Sequence, residues 1–372
     1  MRTIGFRVDV AEHIGTGHLQ RCLTLAREFR KISISSIFFV REYDKELLSL
    51  ITISGFIYHV IGYSSLESIS EDHSYWLGVS QEQDAQEFIY AVSEQPIDMM
   101  IIDHYSLDSV WEDMVKDTVS LPVAVIDDLE NRKHTCDLLI DQNYWPNPNS
   151  RYDGLVSSHC LRLLGPKYAL LRDEFISLRE PKMQKSSNKL ETVLVNFGGV
   201  GNLRVWKSFL PALVKCHKFN FHVITGKLSS EDFHYCENIV KQSKHIFLEE
   251  KTDQMSYLMK SSDFALGACG STVWERFCLG LNSALIDVAD NQKDLVSYLH
   301  ERNLIDYLGS LDNITVNSIS KYLTDLSMNS LKYQKRRKEI MQLVDGMGAD
   351  RVAKNIMLIH SNKYNEKVLG TI

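Results

Sequence analysis

The sequence predicts an α/β protein built as two Rossmann-like domains facing a central cleft. Three observations carry the prediction. Short apolar segments alternate with helical patterns along the chain, these segments are continuously apolar as in buried parallel strands, and one polar stretch interrupts the series near its middle. The 372 residues suffice for two or three domains with cores of their own. Hydrophobic residues at 44% and charged residues at 24% are ordinary for a globular protein and exclude wholesale disorder or a fibrous repeat.

The first strand is Ile4 to Val8. The segment His13 to Ala26, HIGTGHLQRCLTLA, follows it, with Gly15 and Gly17 allowing a tight turn and Leu19, Cys22, Leu23 and Ala26 at the apolar spacing of a helix beginning near His18. Further strands fall at Ile34 to Val40, Met99 to Ile102 and Val123 to Ile126, and a second series at Val193 to Phe197, Phe221 to Ile224, Phe264 to Leu266 and Ala284 to Ile286. Between the two series, EPKMQKSSNK (Glu180 to Lys189) is polar, carries Pro181 and has no apolar period. The expected division is therefore a domain over 1–180, a linker over 181–189 and a second domain over 190–372. Near the end, the basic run Lys335, Arg336, Arg337 and Lys338 reads as a solvated helix face. Open α/β sheets bind ligands beyond the carboxyl ends of their strands, so a cleft between the two domains is the expected active site.

The balance of 41 Lys+Arg against 48 Asp+Glu gives a net charge of -7, which offers no basis for a nucleic-acid surface or an anionic-membrane surface. A small molecule is the expected partner, and an anionic one must be held by local dipoles. The seven cysteines are scattered without a C-x-x-C pair and read as reduced core thiols. Arg7 and Asp9 interrupt any signal-peptide apolar region, and no later stretch reaches the length of a membrane span, so a cytoplasmic protein is expected.

A glycine loop opening a helix is an anion site in principle. Gln20 occupies the position where the dinucleotide fingerprint requires glycine or alanine, which disfavours a nicotinamide or flavin site. His18, at the positive end of a helix dipole, is favoured as neutral imidazole and is placed as a base, although a turn or packing role is the alternative. Asp103 and Asp127, each just past a strand, could orient His18, bond sugar hydroxyls or cap the next helix. Asp127 and Asp128 are adjacent, but no other ligand cluster accompanies them, so no metal and no cofactor is expected. In the second half, Gly198-Gly199-Val200-Gly201 is either a phosphate-approaching turn or a plain tight one. In Gly267 to Glu275, a strand breaks at glycines and a helix starts at Ser271 or Thr272, a site for a pyrophosphate. Glu275 has the capping-box spacing from Thr272, so it either caps the helix or serves a ligand.

Several stretches resemble the hydrolase family of pseudaminic acid biosynthesis, which acts on UDP-2,4-diacetamido-2,4,6-trideoxy-β-L-altropyranose. They are FRVDV-x-x-HIGTGHLQRCLTLA (Phe6 to Ala26), WLGVSQEQDA (Trp76 to Ala85), IIDHY (Ile101 to Tyr105), VIDDLENR (Val125 to Arg132), LLGPKYALLRDEF (Leu163 to Phe175), GSTVWE (Gly270 to Glu275), DNQ (Asp290 to Gln292) and DGMGADR (Asp345 to Arg351). The resemblance spans almost the whole chain and implies a glycosyltransferase-B-like fold that gives the sugar to water, with inversion. It implies that His18, in the G-x-G-H motif with Gly17, is the catalytic group, and that Gly270, Ser271, Thr272 and Glu275 bind UDP. Tyr105, Asn291 and Gln292 fall on the sugar side, and Gly198 and Gly199 in the substrate-binding turn. Relatives carry an acid after the double glycine where this chain has Val200-Gly201, so any bond from that acid is missing here. The function expected is hydrolysis of a UDP-linked 2,4-diacetamido-2,4,6-trideoxyhexose. A glycosyltransferase using the same UDP site and His18 on an acceptor hydroxyl is the alternative, and a silent nucleotide-sugar binding protein a third.

Overall fold

The computed structural model describes residues 1–42, 44–63, 73–179, 190–326 and 330–369, with the side chains of 330 and 362–369 outside the description. The expected linker at 181–189 lies outside the described residues. The N-terminal elements are β1 (Thr3–Val8), α1 (Gly17–Lys31), β2 (Ser35–Glu42), α2 (Lys45–Ile53), β3 (Ile57–Tyr63), α3 (Gln81–Glu94), β4 (Met99–Asp103), α4 (Ser109–Val119), β5 (Val123–Ile126), β6 (Leu138–Asp141), β7 (Leu161–Leu164) and α5 (Asp173–Leu178). They are followed by β8 (Thr192–Asn196), α6 (Leu203–Lys215), β9 (Asn220–Ile224), α7 (Ser230–Val240), β10 (Ile246–Glu249), α8 (Met255–Ser261), β11 (Phe264–Ala268) and α9 (Thr272–Leu279). The chain ends with β12 (Ser283–Asp287), α10 (Lys293–Glu301), β13 (Asp306–Ser310), α11 (Val316–Leu326), α12 (Ser330–Leu343) and α13 (Gly348–Leu369).

The strands form two parallel sheets, ordered β3-β2-β1-β4-β5-β6-β7 and β10-β9-β8-β11-β12-β13. Alternate residues of each strand enter different cores, as the pleat requires. In the first sheet Ile4, Phe6, Val8, Ile101 and Ile126 pack with α1 and α2, while Phe39, Met100, Ile102 and Val125 pack with α3 and α4. In the second, Val193, Val195, Phe221, Leu266 and Ile286 pack with Trp206, Phe209 and Leu323. Both faces are covered, which is why these strands read as continuous apolar runs. Charge also enters the first unit: Arg7, on β1, lies 2.6 Å from Asp9 and 2.7 Å from Asp84, all three buried, and Arg41 lies 2.8 Å from Asp84.

By contacts the chain divides into two units, residues 1–143, 147–170 and 347–372 in one and residues 144–146 and 171–346 in the other. This departs from the expected division at both ends of the second half. The segment from residue 171 already belongs to the second unit, where Arg179 donates to the carbonyls of Met341 at 2.8 Å and Cys278 at 3.2 Å. Helix α13, expected in the second domain, returns to the first, burying Ala349, Val352, Ala353 and Ile356 in the core that α1 shares. Gly348 permits the return, since a Cβ there would lie 2.2 Å from the Ala169 carbonyl oxygen. The basic run on α12 is also not wholly solvated: Arg336 is buried, with its guanidinium 2.8 Å from Asp306. Six of the seven cysteines are buried, in keeping with core thiols. Among the described residues no helix is long and apolar enough to cross a membrane.

Candidate functional site

In the first sheet the chain runs outward from β1 to β3 and then resumes at β4 on the other side of β1. The loops leaving β1 and β4 therefore diverge at their carboxyl ends and leave a crevice. The loop after β1 closes on itself where the Gly15 N–H donates to the Ala11 carbonyl at 2.8 Å, and Gly15 adopts a left-handed φ of +79°. Helix α1 then starts at Gly17, which puts His18 in its first turn.

His18 meets the last residue of β4. Its Nδ1 lies 2.6 Å from Asp103 Oδ1. Arg21, one turn further along α1, grips the same carboxylate from Nε at 2.5 Å and from a terminal nitrogen at 2.6 Å, and extends its other terminal nitrogen 3.1 Å to Asp128. Asp103 is fully buried. Burial alone would raise its carboxyl, but Arg21 and then His18 hold it well below the usual carboxylate range. The carboxylate beside Nδ1 favours the tautomer that carries its proton there, and a terminal nitrogen of Arg21 lies 3.1 Å from the same ring atom. Tyr105 sets its ring edge against the imidazole, centroids 4.5 Å apart, and donates its hydroxyl to Asp128 at 2.6 Å. Burial and the Asp128 charge push the Tyr105 phenol well above its ordinary range, so it stays protonated. Trp76, from the WLGVSQEQDA stretch, stands edge-on to His18 at 6.2 Å.

Of the two acids expected to orient His18, the structure brings Asp103 to it and not Asp127. Asp127 accepts from the Glu130 N–H at 3.1 Å and lies 2.8 Å from the Arg132 guanidinium, so it shapes its own loop. Asp128, which its adjacency to Asp127 suggests only as a metal ligand, is the one tied into the cluster. Arg21 was missed, although its i, i+3 spacing from His18 puts both on one face of α1. Asp141, at the end of β6, accepts from Arg151 at 2.7 Å and from the Tyr152 hydroxyl at 3.2 Å, and burial with the Asp128 charge raises its carboxyl to about 7 against the pull of Arg151.

The second sheet turns back between β8 and β11 in the same way. The loop after β8 holds Gly198 and Gly199, and the loop after β11 holds Gly270 and Ser271 before α9 begins at Thr272. The glycine turn is packed against the loop after β9: Gly201 N–H donates to the Lys227 carbonyl at 2.8 Å, Lys227 N–H donates to that of Gly199 at 2.9 Å, and a Cβ on Gly201 would lie 2.6 Å from Leu228. Packing thus accounts for Gly201 without a ligand. Ser271 is the N-cap of α9 and its side chain makes no capping bond. Glu275 is therefore one position beyond that required for a capping box with Ser271. Its carboxylate instead lies 3.5 Å from Arg172, and burial raises it, with Arg172 pulling the other way. Asn291 and Gln292 form a 3-10 turn after β12. Gln292 folds back, accepting from the Val288 N–H at 3.2 Å, and Asn291 is exposed. Beyond β10, a cavity of about 460 Å³ is lined by Glu249, Lys251, Thr252, Asp253, Gln254 and Leu258. Among the described residues no group of three or more His, Cys, Asp or Glu is placed to hold a metal ion.

No family model matches the chain. Over 348 residues it is 22% identical to the uncharacterised protein MJ1062 of Methanocaldococcus jannaschii, covering 92% of this chain and 66% of that protein, just under two thirds of its length. Over 297 residues it is 24% identical to the UDP-2,4-diacetamido-2,4,6-trideoxy-beta-L-altropyranose hydrolase of Campylobacter jejuni, covering 80% of this chain and 96% of that protein. Solved structures of like fold include the calicheamicin glycosyltransferase CalG4, with a TM-score of 0.67 at 13% identity over 97% of this chain and 99% of that one. Acinetobacter baumannii MurG matches with a TM-score of 0.65 at 12% identity over 96% and 99%. UDP-GlcNAc 2-epimerase from Neisseria meningitidis, bound to UDP-GlcNAc, matches with a TM-score of 0.59 at 12% identity over 96% and 100%. With its two parallel-sheet α/β units, the chain has the fold of the B-type glycosyltransferases and is a distant sequence relative of the Campylobacter hydrolase.

Proposed function

We propose that this protein hydrolyses a UDP-linked 2,4-diacetamido-2,4,6-trideoxyhexose to UDP and the free sugar. The observation that carries the reading is the His18–Asp103 pair, in which a buried carboxylate locked by Arg21 commits Nδ1 and frees Nε2 to accept a proton from water. The name of the Campylobacter relative supports the substrate class. Water attacks the anomeric carbon, the bond from that carbon to the diphosphate oxygen breaks, and its electron pair leaves with UDP. The proton taken by His18 returns to solvent. The second unit supplies the nucleotide site in this reading: the start of α9 faces the diphosphate with Gly270, Ser271 and Thr272, Glu275 accepts from the ribose, and the polar cavity beyond β10 receives the base. Gly17, Gly198, Gly199, Tyr105, Asn291 and Gln292 stand as contacts to the remainder of the substrate.

A glycosyltransferase is the second reading, favoured by the solved glycosyltransferase of like fold. One experiment separates the two. Purified protein given the UDP-sugar without acceptor and with excess chelator is expected to release UDP and the free hexose, followed by phosphorus and proton NMR. Turnover that begins only when an acceptor alcohol is added would make the protein a transferase. Turnover lost to chelator and restored by a divalent ion would overturn the metal-free route.

A further inference from the structure

We propose that Arg276 is a buried cation whose missing counter-charge is the diphosphate of the bound nucleotide, acting on it through the loop that opens α9. This rests on the reading of a UDP-sugar substrate. Arg276 is fully buried in the last turn of α9, and its guanidinium reaches back beneath the ends of the two strands that flank the turning point of the second sheet. One terminal nitrogen donates to the Asn196 carbonyl on β8 at 3.1 Å, the other lies 3.5 Å from the Ala268 carbonyl on β11, and Nε has no hydrogen-bond partner. Gly267 leaves the space it fills, since a Cβ there would lie 2.3 Å from the guanidinium.

Among the described residues no carboxylate comes within 4.0 Å of this group. The other buried arginines of the protein contrast with it: Arg7, Arg21, Arg41 and Arg336 each lie within 3.0 Å of a carboxylate. The acid next to it in sequence, Glu275, acts on Arg276 through its charge but makes no ion pair with it, being turned to Arg172, and Arg172 also lies 3.1 Å from Glu174. Burying a lone guanidinium is costly, and the cost is met when an opposite charge arrives. Burial lowers the Arg276 guanidinium to about 10, so it remains charged near neutral pH. The cation lies under the glycine turn after β8 and the Gly270-Ser271 loop after β11, where a diphosphate would meet the positive end of the α9 dipole. A charge in the low-dielectric layer beneath that loop adds to the field of the helix start without touching the ligand.

The test compares UDP with uridine, which lacks the diphosphate, by calorimetry on the full chain, beside ligand-free thermal melts. Arg276→Met, which keeps the bulk, is expected to bind uridine like the parent, to bind UDP roughly tenfold or more weakly, and to melt no lower than the parent without ligand. Arg276→Lys is expected to regain part of the UDP affinity. Unchanged UDP affinity in Arg276→Met would overturn the proposal. So would an equal loss for UDP and uridine, a markedly lowered melting temperature or a failure to fold, each of which would make the guanidinium a clamp for the Asn196 and Ala268 carbonyls. A parent that binds neither UDP nor uridine would instead overturn the nucleotide-sugar reading, whatever the variants do.

Discussion

At the scale of the residue, the proposed base role of His18 requires that one ring nitrogen be committed, and Arg21 holds the carboxylate that would commit it from the far side of Asp103. Removing the imidazole with His18→Ala is expected to lower kcat by about 10²- to 10⁴-fold while UDP affinity, measured by calorimetry, is retained. Turnover within a few-fold of the parent would return His18 to a turn role. Arg21 positions the pair. Arg21→Lys keeps the charge but cannot fork across both Asp103 oxygens while reaching Asp128, so kcat is expected to fall roughly ten- to a hundredfold with KM and UDP affinity little changed. A rise in KM with unchanged kcat would give Arg21 a different role. Glu275 belongs to the other unit. Since no capping box forms there, Glu275→Gln is expected to weaken UDP binding by about 1.5–3 kcal/mol, about ten- to a hundredfold. The ligand-free melting temperature should be nearly unchanged, whereas unchanged affinity with a lowered melt would remove Glu275 from the site.

At the scale of the element, α1 and α9 serve alike, each starting in the crevice where its sheet reverses direction, but they carry different chemistry. Helix α1 brings His18 and Arg21, one turn apart, onto a strand-end carboxylate, the arrangement on which the proposed proton acceptor rests. Helix α9 brings hydroxyls, backbone N–H groups and a buried arginine to the same relative place, the set on which the proposed diphosphate site rests. Helix α13 packs Ala349, Val352, Ala353 and Ile356 into the first unit's core, and the tolerance of that face to change is measured by stability. Val352 is fully buried against the core shared with α1, so Val352→Asp places an unpaired charge there and is expected to destabilise the protein by about 3–5 kcal/mol in urea unfolding. A loss below about 1 kcal/mol would mean that α13 detaches readily from the first unit.

At the scale of the whole molecule, several buried carboxylates give folding a common dependence on pH. Burial alone would raise Asp9, Asp103 and Asp306, but Arg7, Arg21 and Arg336 hold them well below the usual carboxylate range. The unfolded chain regains an ordinary affinity near pH 4 and so binds protons that the folded chain refuses. Their contribution is complete above about pH 5 and is lost as pH falls through and below about 4. Denaturant midpoints measured from pH 7 down to 3 should decline steeply at the acid end, and Asp306→Asn should flatten part of that decline. A midpoint independent of pH over this range would show that these pairs contribute no stability.

What the sequence alone determined is local. The apolar runs at 4–8, 123–126 and 221–224 announce buried parallel strands because both faces of each are covered, and the glycines before His18 and Ser271 mark where strands give way to helices. Strands β3, β6, β7, β10 and β13 escaped that reading because edge strands and short ones mix polar with apolar residues. The tertiary structure decided which charges meet. Arg21 and Asp103 are 82 positions apart, and Arg276 and Asn196 are 80. Nothing in the spacing of residues along the chain specifies that β4 lies beside β1, or β11 beside β8. Strand order made Asp103 rather than Asp127 the partner of His18, and apolar packing against α1 brought α13 back to the first unit. Periodicity reports which face of an element is buried, whereas the partner across that face is chosen by the packing of the whole sheet.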